Sequence, residues 1–138
     1  YVPTGNTSPD YYGGHRNGSD YYSSSVVALS QKTGEVKWHF RAVNHDIWDF
    51  DIPSQPTLYD FELNGKLVRA LAQTTKMGHV FLLNRETGEP IFPIEDKPVP
   101  QGAITGDYTA PTQPFPTKPK SLMNLDFNED DNLGPYSL

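Results

Sequence analysis

Apolar residues recur along this chain in short runs with a spacing of two, separated by turn residues. Val26-Val27-Ala28-Leu29 is a continuous apolar run. Val36-Lys37-Trp38-His39-Phe40 alternates, which puts Val36, Trp38 and Phe40 on one face of a strand. Between them Gln31-Lys32-Thr33-Gly34 reads as a turn whose glycine can take a positive φ, so the pattern predicts a hairpin. A second hairpin is predicted about Asn64-Gly65, a dipeptide suited to tight turns that match strand twist, with arms at 57–63 and 67–74. Val80-Phe81-Leu82-Leu83 predicts another strand, closed by Arg85-Glu86-Thr87-Gly88. The expected strands therefore lie near 26–29, 36–42, 67–74 and 80–84. No segment holds a 3.6-residue apolar period beyond two turns, and prolines interrupt the candidates.

The two Thr-Gly turns echo one another. Ala28 to Glu35 resembles Leu82 to Glu89, and Thr33 and Thr87 are 54 positions apart. Self-similarity at about this period, with several strands per repeat, is the mark of propeller blades. The chain is read as all-β, with blade-like units at 1–60 and 61–92 and an extended proline-rich segment at 93–138. Residues 90–120 are expected to form an extended loop packed on a neighbour, without regular structure of its own. The tail Asn128-Glu129-Asp130-Asp131-Asn132 reads as acidic and turn-like. A start at Tyr1-Val2 already in a strand pattern, and an end at Tyr136-Ser137-Leu138 in mid-pattern, give the expectation of an internal piece of a longer protein.

Composition narrows the function classes. With 36% hydrophobic residues among 138, the chain can bury one modest core, and 11 Gly and 13 Pro suit short strands joined by turns. The net charge of −6 and the lack of any Lys/Arg run exclude a nucleic-acid surface. No stretch approaches the apolar length of a membrane span. Cysteine is absent, which removes thiolate and disulfide chemistry from this chain.

Three segments carry candidate chemistry. His45-Asp46-Ile47-Trp48-Asp49-Phe50-Asp51 gathers three carboxylates, an imidazole and two large aromatics on a connection after a strand. Aromatic bulk partly desolvates a carboxylate and makes it a better base. By itself the cluster reads first as turn caps and core filler, second as a catalytic loop. Thr74-Thr75-Lys76-Met77-Gly78-His79 puts a lysine at a strand entrance, facing a cleft or simply solvated in a turn. Asn6, after Gly5, can offer a side-chain oxygen to a hard cation or only close a local turn.

Taken in order, these segments resemble the glucose/quinate/shikimate branch of the pyrroloquinoline quinone (PQQ)-dependent dehydrogenases. The resemblance rests on Tyr1-Val2-Pro3-Thr4-Gly5-Asn6, Tyr12-Gly13-Gly14-His15-Arg16 and Ser23 to Leu29. It continues through Thr33 to Trp38, His45 to Asp51, Gln55-Pro56-Thr57-Leu58 and Thr75-Lys76-Met77-Gly78, then Pro98 to Gly102 and Pro111 to Phe115. Ala28 to Trp38 also resembles the tryptophan-docking motif that staples adjacent blades in this family. The resemblance departs at Asp131-Asn132-Leu133-Gly134, where the family usually carries a tryptophan.

The resemblance implies part of an eight-bladed β-propeller, about two four-stranded blades plus the proline-rich loop. It implies oxidation of a sugar or polyol, glucose first and quinate or another alcohol second. Asp49 would be the general base, Lys76 the contact to the quinone oxygens, and Asn6 a ligand to Ca²⁺ or Mg²⁺. Electrons would pass to ubiquinone or a cytochrome. The setting would be periplasmic, with any membrane anchor outside this chain. Two other classes compete: a non-catalytic propeller scaffold with the same Thr-Gly and Trp repeat, and a sugar-binding β module suggested by the many Tyr and Trp.

Overall fold

The computed structural model describes residues 1–123, and the tail at 128–132 and the Asp131 to Gly134 departure lie outside the described residues. Strands β1 (Val2–Pro3), β2 (Ser25–Leu29) and β3 (Val36–Arg41) form one antiparallel sheet in the order β1-β2-β3. Strands β4 (Thr57–Leu63), β5 (Lys66–Thr74) and β6 (Val80–Asn84) form a second, in the order β4-β5-β6. Asn64 and Gly65 both take positive φ, 53° and 73°, the mirror-image turn that suits a two-residue hairpin. All four strands expected from the alternation are present.

The sequence echo is a structural repeat. In the first sheet Gly34 donates to Ser30 O and Ser30 to Glu35 O, both at 2.8 Å. In the second, Gly88 donates to Asn84 O and Asn84 to Glu89 O, both again at 2.8 Å. Gly34 and Gly88 take φ of 75° and 79°, where a side chain is disfavoured. The two sheets meet through this turn. The Trp38 indole Nε1 donates to Arg85 O at 3.2 Å, and a Cβ on Gly88 would come within 2.7 Å of the Trp38 ring. Tyr1 packs beside the indole and donates its hydroxyl to the same carbonyl at 2.8 Å.

The core lies between the sheets. Val26, Ala42, Val43, Ile52, Leu71, Phe81 and Leu83 are buried together, with Trp38, Phe40 and Phe50 packed against them. Phe40 meets Phe81 with ring centroids 4.9 Å apart. β2 is central in its sheet and buried along most of its length, which accounts for its continuous apolar run.

Three expectations are corrected. The division at 60/61 falls inside β4, which pairs with β5 through Asn64-Gly65, so the sheets part in the connection at 42–56. Each sheet has three strands among the described residues; a Leu83–Pro90 bridge starts a further pairing in the second. The proline-rich segment is not without regular structure: β7 (Ile94–Pro98) and β8 (Thr112–Pro116) form a two-stranded antiparallel ribbon. Proline is tolerated because Pro98, Pro114 and Pro116 all fall in pairs of one parity, opposite Thr112, Asp96 and Ile94. Their missing N–H groups point away from the partner strand. The ribbon is docked by Gln113, which accepts from Asn44 N and donates to Asn44 O, both at 2.7 Å.

Candidate functional site

Within the connection from β3 to β4, the stretch 44–51 is pinned on both sides by buried apolar residues, Ala42 and Val43 before it and Ile52 after it. Between them the chain must reverse, and His45 and Asp49 take left-handed φ of 44° and 61°. Asp tolerates that region better than most side chains. Asp46 organises the loop from inside. Its fully buried carboxylate accepts from Trp48 N at 3.0 Å, Phe50 N at 3.1 Å and Ser24 Oγ at 2.6 Å. These bonds fix the two amides that flank Asp49 and leave the Asp49 side chain outside the network.

His45 ties the loop to two distant segments. Its ring nitrogens lie 2.9 Å from Asp20 Oδ2 and 2.9 Å from Asp107 Oδ1. The ring stacks on Tyr108 at 3.8 Å, and a Cβ on Gly13 would run into it, so the Gly13-Gly14 pair serves close approach here. Burial works against the charge on Asp107. The Gly13 amide, His45 and the Tyr108 amide outweigh it and hold the Asp107 pKa below the ordinary carboxylate value.

Lys76 comes from the turn between β5 and β6. Thr75 N donates to His79 O at 3.0 Å and Gly78, at φ 76°, donates to Thr75 O at 3.1 Å, closing the turn beneath the lysine. The ammonium reaches across to the other connection. It donates to Asp49 O at 2.7 Å and Asp51 Oδ2 at 3.0 Å, and more weakly to Asp49 Oδ2 at 3.3 Å. An ammonium has three donors, and all three are engaged. Asp49 Oδ1 has no hydrogen-bond donor among the described residues, on a side chain about one-third exposed that lies against the Asp51 carboxylate.

Asp51 also accepts from the Asn6 amide through Oδ1. Partial burial pushes the Asp51 pKa up, but the Asn6 amide and Lys76 pull it below the ordinary value. The Asp51 hydrogen bond in turn raises Lys76 against the opposing effect of desolvation, with Asp49 assisting. Asn6 Nδ2 donates to Asp10 O at 2.9 Å, while its Oδ1 faces Arg16 at 3.3 Å and Ser23 Oγ at 3.5 Å.

The structure thus brings Asp49, Lys76 and the Asn6 backbone into one cluster, although they are far apart in sequence. Beside Lys76 opens a cavity of about 530 Å³, lined by Trp48, Phe50, Met77, His79 and Phe115 among others. Two residues with a part here are read from sequence only as turn caps. Asp46 does serve the loop backbone. Asp51 instead belongs to the charged cluster itself, and its position two residues from Asp49 is the one local signal for that.

A family profile described as "PQQ: Glucose/ethanol/alcohol dehydrogenase, beta-propeller domain" matches residues 1–137. The quinoprotein glucose dehydrogenase of Escherichia coli is 47% identical over 83% of this chain and 15% of its own length. The glycerol dehydrogenase large subunit of Gluconobacter oxydans is 46% identical over 97% of this chain and 18% of its own. The quinate/shikimate dehydrogenase (quinone) of Acinetobacter baylyi is 36% identical over 97% and 17%. Among solved structures, the quinohemoprotein alcohol dehydrogenase of Comamonas testosteroni superposes with a TM-score of 0.60 at 29% identity, over 85% of this chain and 17% of that one. This chain therefore spans under a fifth of the length of these relatives. With two docked antiparallel sheets and a profile match along nearly its whole length, the chain belongs to the β-propeller family of the PQQ-dependent glucose, ethanol and alcohol dehydrogenases.

Proposed function

We propose that this chain supplies part of the active site of a PQQ-dependent dehydrogenase that oxidises a sugar or polyol, with glucose the first substrate to test. One observation carries the reading: Lys76 sits at the rim of an aromatic-lined cavity with Asp49 and Asp51 on its ammonium. PQQ is a planar, acidic quinone, so aromatic walls for its rings and an ammonium for its oxygens suit it. Lys76, Trp48, Phe50 and Phe115 would hold it, and when bound it would supply the two-electron redox chemistry.

The protein's own groups divide the remaining work. Asp49 takes the hydroxyl proton of the alcohol at Oδ1, the oxygen left without a donor. Asp51 holds the Lys76 ammonium at the cavity rim and raises its pKa further, so a positive charge faces the cavity when negative charge develops there. Trp48 and Phe50 line the cavity and would shield a bound substrate from part of the solvent. A metal fits less well. The described residues hold no group of three or more His, Cys, Asp or Glu that a metal ion could occupy. The Asn6 side-chain oxygen faces a guanidinium, so a Ca²⁺ or Mg²⁺ ligand role requires it to turn away from Arg16. No step here runs through a metal. The acceptor named for the Acinetobacter baylyi relative is a quinone, and a quinone, or else a cytochrome, is proposed to receive the electrons here.

The test is dye reduction by the holoenzyme with PQQ added. Asp49→Asn keeps side-chain volume and tolerance of left-handed φ but cannot accept a proton. It should lower turnover by about 10²–10⁴-fold while PQQ binding, read by fluorescence quenching, stays intact. Near-normal turnover in Asp49→Asn would remove Asp49 from the role, and wild-type protein indifferent to PQQ would remove the reading altogether.

A further inference from the structure

Arg16 is the most deeply buried cation in the described chain, its side chain 2% exposed, and it lies outside the Asp49–Lys76 cluster. A buried guanidinium is costly unless it is partnered, and all of the Arg16 head but Nε is, so its contacts indicate its task. Nη1 donates to Asp46 O in the β3–β4 connection and to Asn6 Oδ1 at 3.3 Å. Nη2 donates to Pro9 O, and to Asp10 O at 3.2 Å. Asp20 balances the charge at 3.6 Å. One planar fork therefore holds both segments that end on the charged cluster.

The two routes can be followed atom by atom. Through Asp46, Arg16 fixes the residue whose carboxylate holds the Trp48 and Phe50 amides, and these flank Asp49. Through Asn6, it fixes the residue whose backbone amide holds Asp51, and Asp51 binds Lys76. The routes converge from opposite sides on the Asp49–Lys76 pair. We propose that Arg16 is the positioning residue of this site, setting the separation of Asp49 and Lys76 without touching either. This rests on the function proposed above only for its kinetic readout; the placement itself is a statement about the loop.

Lysine is the discriminating replacement. It keeps the charge, but a single ammonium cannot reproduce the fork to Asp46 O and Pro9 O. In Arg16→Lys holoenzyme, kcat for dye reduction should fall by about 10²-fold, the effect of misplacing reacting groups by about an ångström, with KM changed far less. Amide exchange across 44–51 should rise. Arg16→Ala should regain part of its turnover when methylguanidinium is added, whereas Arg69→Lys, in an exposed ion pair of β5 with Glu86 outside the cluster, should match wild type. If Arg16→Lys keeps wild-type kcat and wild-type exchange at 44–51, the proposal is wrong. A drop in melting temperature alone, with kcat, exchange at 44–51 and rescue all unmoved, also overturns it. If Arg16→Ala does not fold, Arg16→Lys still decides. If the wild type shows no PQQ-dependent turnover, the functional reading falls while the exchange data still judge Arg16.

Discussion

The two Thr-Gly turns form an internal experiment on how the sheets are joined. Gly34 and Gly88 occupy the same turn with nearly the same φ, 75° and 79°. They differ in surroundings: a Cβ on Gly34 meets nothing within 4 Å, while one on Gly88 meets the Trp38 ring at 2.7 Å. Gly34→Ala therefore isolates the strain of a left-handed alanine, about 1–2 kcal/mol. Gly88→Ala adds displacement of the docked indole, an overpacking loss of about 1–3 kcal/mol. With a urea m-value of about 1–3 kcal/mol per molar, a difference of 2 kcal/mol separates the two midpoints by about 1 M. Circular dichroism during urea unfolding of the full chain measures this. In a Trp38→Ala background the excess should vanish, leaving Gly88→Ala no worse than Gly34→Ala. Equal midpoints for the two alanine variants in the wild-type background would show that Trp38 does not dock on Gly88, and the sheet–sheet geometry argued here would fail with it.

Two further outcomes follow from the supports around the site. The Asp107 side chain is nearly fully buried and its folded pKa lies below the ordinary carboxylate value, so between the two values the unfolded chain binds more protons than the folded one. Its contribution is complete above the ordinary value and is lost as pH falls through the folded one; Asp107→Asn should flatten the acid limb of a stability–pH curve, and an unchanged slope would contradict this. Gln113→Ala should leave Asn44 N and O without partners, a loss of about 1–3 kcal/mol, with faster amide exchange in β7 and β8; protection equal to wild type would mean the ribbon is held by something else.

The parts legible in the sequence were those set by local chemistry. Asn64-Gly65 fixes its own turn, and the alternation at Trp38 and Phe40 fixes which side of β3 packs inward, whereas Val36, at the strand's start beside a register shift, is exposed. The ribbon was not legible because proline density reads as loop. Its three tolerated prolines are recognised only by parity, and parity exists only once β7 is paired with β8. His45 gives no local sign of its clasp, since Asp20 and Asp107 come from 25 and 62 residues away. Asp46, Asp49 and Asp51 look alike in sequence. What separates them is direction: Asp46 turns to the loop amides, while the carboxylates of Asp49 and Asp51 turn to a lysine delivered by the other sheet.

That delivery also says which forces set the site and which are set by it. The Lys76 pairs with Asp49 and Asp51 are about one-third exposed, and ion pairs in such settings add little to stability. They are too weak to hold two sheets in register. The holding is done by the core between the sheets and by Trp38 on the Gly88 turn, with Arg16 and Asp46 fixing the loop backbone. Asp49 and Lys76 are therefore brought together by packing, and their attraction is a consequence of that placement. A cation held in place by packing, but only loosely by its counter-charges, can exchange a carboxylate for a ligand oxygen at little cost. The same two sheets with a tight, buried Lys–Asp bridge would be as well folded and far less able to receive a cofactor.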